Sequence, residues 1–248
     1  MKRRQLLTGI SVAGAGVLLN ACRNTQTSTG GATNNENKSD APAPGEAEPI
    51  EVTATEDLMR EHGILRRALL VYQESVGQLL QDPARRVPEA LEKTANLFRV
   101  FGEEYHEKKL EEVYIFPAVK KTTNAATPYV DILLAQHARG REITDYVLSI
   151  TKADQIASHN LEPLVKALGS FVRMYEHHAA IEDTIVFPAW KAAVGGNELD
   201  ELGEKFEEIE HEQFGSDGFE TALKRMEEIE QSLGLSNLEM FTAPPPPR

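Results

Sequence analysis

Residues 106–118 read His-Glu-Lys-Lys-Leu-Glu-Glu-Val-Tyr-Ile-Phe-Pro-Ala, and residues 177–189 read His-His-Ala-Ala-Ile-Glu-Asp-Thr-Ile-Val-Phe-Pro-Ala. Aligned without gaps, both run histidine, four residues, two acids, two residues, Ile or Val, Phe, Pro, Ala. A stretch bearing one histidine at helical spacing precedes each copy, with His62 before the first and His137 before the second. The pattern describes two successive αα-hairpins of related design.

Working outward, apolar residues recur at helical spacing from Thr55 to Val194. A first helix over 55–81 carries the stripe Leu58, His62, Leu65, Leu69, Tyr72, Val76, Leu79, whose steps of four and three keep one face. Asp82-Pro83 breaks it. A second helix over 88–121 holds the first repeat, with Pro117 bending or ending its regular part. A third begins near Pro128 with Val130, Leu133, His137, Thr144 and Val147 inward. A fourth, over 161–193, carries Leu164, Leu168, Phe171, Met174, His178, Ile181 and Ile185, and Gly195-Gly196-Asn197 stops it. The expected fold class is all-α, an up-down-up-down four-helix bundle over 53–194. Charged helices at about 198–214 and 219–233 form a C-terminal extension over 195–235, and 236–248 is a Pro-rich tail.

The N-terminus reads as an address. Lys2, Arg3 and Arg4 precede an apolar, Gly/Ala-rich run that ends at Cys22, the only cysteine of 248 residues. Residues 1–22 fit an export signal, too short and too weakly apolar for a permanent span. Arg3-Arg4 allow twin-arginine export, and Leu19-Asn20-Ala21-Cys22 resembles a lipoprotein processing site that would lipidate Cys22 and anchor the chain to a membrane at the cell envelope. Residues 23–52 lack the apolar surface to fold and read as a tether. A single cysteine excludes an intrachain disulfide framework and a thiolate metal cluster. The net charge of −13 argues against nucleic-acid binding.

Four histidines converge. In such a bundle the first and third helices start at the end where the second and fourth finish. Counting at 1.5 Å per residue puts His62, His106, His137 and His178 roughly 10–17 Å from one end. Three of them replace apolar members of core stripes. One inward imidazole per helix at one depth is what an intrahelical metal site requires, with carboxylates supplying charge and bridging oxygens. Glu182 follows His178 by four, Glu111 follows Glu107 by four and His106 by five. A single inward histidine is more often a hydrogen-bonded core residue; four at one depth beside matched acids are better read as ligands. The expected ligand set is His62, His106, Glu107, Glu111, His137, His178 and Glu182. His177, turned about 100° from His178, His211, Glu112 and Asp183 are lesser candidates for ligation or for orienting imidazoles. His159 is placed in a polar loop, and the two Phe-Pro pairs are read as packing and bending devices.

These residues resemble the hemerythrin-like, or HHE cation-binding, domain. The resemblance rests on Glu61-His62, His106-Glu107…Glu111-Glu112…Phe116-Pro117, Gln136-His137 and His178…Glu182-Asp183…Phe187-Pro188, and covers about 55–194, with the helix to about 218 as a further part. It implies a four-helix bundle with two non-haem iron ions bridged by carboxylates, and binding of dioxygen or nitric oxide, or iron handling. It also marks a departure: oxygen-carrying members have a second histidine one turn along the third helix, where this chain has Arg141. Glu107 or His211 is left to fill that place.

Three functions follow as expectations. The first is a di-iron module taking dioxygen, nitric oxide or peroxide. The second is a ferritin- or rubrerythrin-like oxidase or peroxidase with a redox partner, for which Glu103…His106 and Glu208…His211 supply the Glu-x-x-His spacing. The third is a metal-free structural lipoprotein. Mixed nitrogen and oxygen donors also suit manganese or zinc.

Overall fold

A computed structural model describes residues 52–81, 87–122, 124–153 and 155–247. The export signal, Cys22 and the tether up to Glu51 lie outside the described residues. Among the described residues there are six helices and no strand.

Helix α1 is Ala54–Gln81. It opens on a reciprocal cap: Glu56 N–H donates to Thr53 Oγ1 at 3.3 Å, and Thr53 N–H donates to Glu56 Oε2 at 2.8 Å. Helix α2 runs over 87–121, from Val87 to Lys121, and α3 is Thr127–Thr151. The turn between them is set by Asn124, whose side-chain oxygen accepts from the N–H groups of Ala126 and Thr127 at 2.8 and 3.2 Å. Helix α4 runs over 158–194, so His159 stands exposed in its first turn rather than in a loop. Gly195, at φ 80°, ends α4 and lets α5, Gly196–Phe214, begin at once. Helix α6 is Gly218–Leu233, capped by Asp217, and a short 3-10 turn at Leu238–Phe241 lies in the Pro-rich tail.

The second and fourth helices change winding where the repeats lie. Phe98–Ile115 in α2 and Glu182–Val186 in α4 form i→i+5 hydrogen bonds, and α-winding resumes at Phe116 and Phe187. The N–H groups of Phe116 and Phe187 reach back five residues to the carbonyls of Glu111 and Glu182. Pro117 and Pro188 have no N–H to donate and would crowd the carbonyl four residues back; the wider turn accommodates them without breaking the helix. Neither proline ends its helix.

Helices α1 to α4 pack in a ring, each against the next and α4 against α1. Tyr72, Phe98, Phe171 and Tyr175 fill the middle in edge-to-face contacts. Helices α5 and α6 lie against α1 and α2 and share the core through Phe206, Phe219, Met226 and Ile229, all buried. Arg67 holds α6 by two bonds to Glu230, at 2.7 and 2.6 Å, and the Arg60 guanidinium sits 4.1 Å above the Phe219 ring. Residues 53–194 and the C-terminal helices therefore share one hydrophobic core. No helix among the described residues is long and apolar enough to cross a membrane.

Candidate metal centre

His62 of α1, His106 of α2, His137 of α3 and His178 of α4 are each at most 3% exposed, and they meet in the bundle. Their Nε2 atoms pair: His62 with His106 at 3.0 Å, and His137 with His178 at 3.2 Å. The outer nitrogen of each ring is fixed. His62 Nδ1 donates to Asp183 at 2.7 Å, His106 Nδ1 to Glu61 at 2.6 Å, His137 Nδ1 to Glu112 at 3.0 Å, and His178 Nδ1 to Gln136 at 2.9 Å. With the protons on Nδ1, neutral rings point Nε2 lone pairs at each other across about 3 Å. Such a pair is stable only with a proton or a cation between its members.

Two carboxylates lie between the pairs. Glu111 puts Oε1 3.3 Å from His106 Nε2 and Oε2 3.3 Å from His137 Nε2, so it spans both. Glu182 Oε2 is 3.0 Å from His178 Nε2 and 3.5 Å from His62 Nε2. Both side chains are fully buried, yet none of their four oxygens accepts a hydrogen bond. Orphaned buried carboxylate oxygens are costly, and facing imidazole lone pairs add to that cost. A cation at each histidine pair removes both penalties, so the residues fit the metal that the HHE resemblance implies. Glu111, His137, His178 and Glu182 bring ligand atoms within 4.8 Å of one another, and so do His62, His106 and Glu111.

Helix winding explains why the two acids have different spacings. In the i→i+5 stretch Glu111 comes back over His106 after five residues, whereas α-winding brings Glu182 over His178 after four.

The surroundings repeat with the hairpins. Glu61 and Gln136, each preceding a ligand-bearing position, accept from the histidine of the next helix. Glu112 and Asp183, each following a buried glutamate, accept from the first histidine of the other hairpin. Arg66 and Arg141, each four residues after such a histidine, hold Asp183 and Glu112 in turn. The Phe-Pro pairs join this pattern: Phe187 stacks on His62 with centroids 5.3 Å apart, and Phe116 on His137 at 5.5 Å. Outer hydrogen bonds of this kind set tautomer and ring orientation in metal sites.

One expected ligand, Glu107, and two lesser candidates, His177 and His211, stand outside the two Nε2 pairs. Glu107 accepts from Tyr175 Oη at 2.7 Å and from Arg141 at 3.1 Å, and stands on the outer side of His137, 3.9 Å from its Nδ1. His177 and His211 are exposed and belong to none of these groups. A helix surface presents them to solvent because each is turned away from its apolar stripe. Beside His137, Glu107 and Glu112 bring ligand atoms within 4.8 Å of one another and of the imidazole, with Arg141 bound to both acids, whereas His211 stands apart. The sequence pairs Glu61 with His62 and Gln136 with His137 but shows no role for them or for Arg66, whose signal is their fixed offset from His62 and His137 in both hairpins.

Electrostatics follow the geometry. Burial alone would lower His137, but Glu107, Glu111 and Glu112 outweigh it and hold the imidazole at about 10. Burial and the adjacent His137 charge push His178 down to about 4. The pair thus shares one proton, carried by His137. Burial is overcome for His106 too, by Glu111 and Glu61, which raise it well above the usual range. Burial and Glu111 keep Glu182 protonated far above the usual carboxylate range.

Gly140 makes the close packing possible, since a Cβ there would lie 1.9 Å from the Tyr175 hydroxyl oxygen. Gly140→Ala is expected to push Tyr175 off Glu107 and lower stability by about 1–3 kcal/mol. Gly169→Ala, with nothing within 4 Å of its Cβ, should be neutral or slightly stabilising. Thermal melts by circular dichroism compare the two.

The family described as "Hemerythrin HHE cation binding domain" matches residues 129–241. That span takes in α3 to α6, so it contains His137, His178 and Glu182, while His62, His106 and Glu111 lie before it. The match starts later than the 55–194 resemblance, and it includes both C-terminal helices. Two proteins named only as uncharacterized, one from Mycobacterium tuberculosis and one from Mycobacterium bovis, are each 39% identical over 252 residues, covering 97% of this chain and 90% of theirs. No solved structure matches. The chain belongs to one family with these mycobacterial proteins, and its residues 129–241 match the hemerythrin HHE cation binding domain.

Proposed function

We propose that this protein is a non-haem di-iron protein that binds a small ligand, dioxygen, nitric oxide or peroxide, at the cell envelope. The observation that carries the reading is the placement of Glu111, one oxygen toward each histidine pair and neither hydrogen-bonded. His62 and His106 would hold one ion, His137 and His178 the other, with Glu111 and Glu182 between them. When bound, two iron ions supply an open coordination position and reversible electron transfer. The chain's own residues fix the imidazoles through Nδ1, exclude bulk water, and orient Glu107 beside His137 through Tyr175 and Arg141. The chemistry of mixed imidazole and carboxylate donors suits iron, and also manganese or zinc.

The oxidase reading has less support. Its first Glu-x-x-His glutamate, Glu103, is buried but accepts from Thr144 and pairs with Arg99, while Glu208 and His211 face solvent. The envelope location and lipidation rest on residues 1–22 and Cys22 alone.

Metal analysis and an optical spectrum of the full chain purified after export test the reading. Two iron ions per chain, a charge-transfer band in air and a nitric oxide adduct of the reduced protein are expected. Less than one metal per chain with no such band after iron loading defeats it, and multiple-turnover peroxide consumption would move the protein to the oxidase class.

Metal and protons compete here, so pH dependence separates the two forms. In the metal-free protein His137 is raised from 6.5 to about 10, so the folded state binds more protons between those values. That contribution is fully present below pH 6.5 and lost as pH rises through about 10. Metal must displace the same protons, so the stabilisation added by metal grows as pH rises and disappears on acidification. Melting curves from pH 6 to pH 9 with and without iron should show the gap between forms widening with pH; a constant gap contradicts it.

A further inference from the structure

All four imidazoles at the centre are tied down through Nδ1, but their partners differ in chemistry. His62, His106 and His137 each donate to a carboxylate, of Asp183, Glu61 and Glu112 respectively. His178 donates to Oε1 of Gln136, a neutral amide, at 2.9 Å. The repeat makes the contrast direct, because Glu61 precedes His62 as Gln136 precedes His137. The two partners also sit in different surroundings. Glu61 is 1% exposed and accepts a second bond from Tyr105 Oη at 3.1 Å, while Phe214 of α5 packs on the Tyr105 ring at 5.3 Å. Gln136 is only half-buried, so water competes for its bond. In other respects the halves match. Each has two imidazoles and faces both Glu111 and Glu182, at distances of 3.0 to 3.5 Å. Each also has two outer acids and one arginine: Asp183 and Glu61 with Arg66, and Glu112 and Glu107 with Arg141. Glu107 spends its bonds on Tyr175 and Arg141.

We propose that the two ions are held unequally: the His62–His106 half keeps a resident ion, the His137–His178 half an exchangeable one, and Gln136 is the positioning residue that sets the difference. The inference rests on reading the centre as a di-metal site. A carboxylate bonded to the outer nitrogen makes an imidazole a stronger donor to a metal, and such partners are worth about 10–100-fold in affinity. An amide has no charge to pass on. His178 is therefore the weakest of the four imidazole donors, and the ion it shares with His137 leaves first. The chain can then give up or take in one ion while the other keeps the α1–α2 side of the centre assembled.

Chelator competition on the full chain, loaded with iron(II) in the absence of oxygen, gives the two affinities. The wild type should release its ions in two stages, about 10–100-fold apart. Gln136→Glu should tighten the weaker ion and narrow the gap, a gain that a merely structural residue would not give. Glu61→Gln keeps an acceptor for both His106 and Tyr105, and should loosen the tighter ion. Equal affinities in the wild type overturn the proposal. So does a Gln136→Glu protein whose weaker ion is unchanged, or whose tighter ion moves instead. Should Gln136→Glu fail to fold, Glu61→Gln decides: a tighter ion that stays as tight as in the wild type overturns the proposal. A wild type that takes up fewer than two ions defeats the di-metal reading beneath it. Two ions of equal affinity defeat the inequality alone.

Discussion

Replacing Glu111 by alanine is expected to leave a folded bundle that no longer retains a pair of metal ions. Glu111 is the one side chain with an oxygen within 3.3 Å of a histidine in each pair, so its loss removes a donor from both halves at once. Outer-sphere partners of metal ligands are worth about 10–100-fold in affinity, and a shared inner donor should cost more than about 100-fold. Glu112→Ala is the internal comparison. It removes the acceptor of His137 Nδ1 and of Arg141 but no oxygen facing the Nε2 pairs, and should fall within the smaller range. Metal content after gel filtration and chelator competition give the two numbers. Thermal stability supplies a second reading: ligand at 100 times its Kd adds about 2.7 kcal/mol, a gain the wild type should show and Glu111→Ala should lack. Two tightly held ions in Glu111→Ala would remove the bridging role assigned to this residue.

Glu111 also shows where sequence stops being readable. The repeat, the four helices and the inward histidines are visible in the order of residue types, because apolar periodicity reports which face is buried. The winding of α2 is not visible in that way. On an α-helix the residue brought over His106 four positions on would be Leu110, and Glu111 would lie off the histidine face. The i→i+5 stretch ahead of Pro117 turns Glu111 inward, and the signal available was the five-residue spacing itself next to the four of His178 and Glu182. Glu107 shows the opposite case. Its burial at 2% exposure suits a ligand, but Tyr175 and Arg141, far away in sequence, claim its oxygens. Residue spacing along one helix cannot reveal a partner supplied by another. Arg66 and Arg141 look like the solvated face of a helix, since long cations usually are; only their equal offset from His62 and His137 distinguishes them.

Trp190→Ala is expected to lower stability by about 3 kcal/mol, the low end of the range for truncating a buried aromatic. Trp190 is 0% exposed and lies flat against Phe206 of α5, with centroids 5.9 Å apart and planes at 12°. Phe206 in turn meets Tyr114 of α2 at 5.5 Å. The indole thus joins the end of α4, the C-terminal helices and α2 in one contact. The low end applies because its Nε1 is buried without a hydrogen-bond partner, and removing that group relieves a cost. At roughly 2–4 °C per kcal/mol for a chain of this size, the melting point should fall by about 6–12 °C. The shape of the transition is as informative as its midpoint. If α5 and α6 share the bundle's core, the variant melts in one step by circular dichroism. Loss of the C-terminal helices ahead of the bundle would give two steps instead, and would make them an attached extension. Trp190→Phe keeps the stack on Phe206 and leaves no unpaired N–H, so it should recover most of the loss; recovery separates the lost packing from any special need for indole.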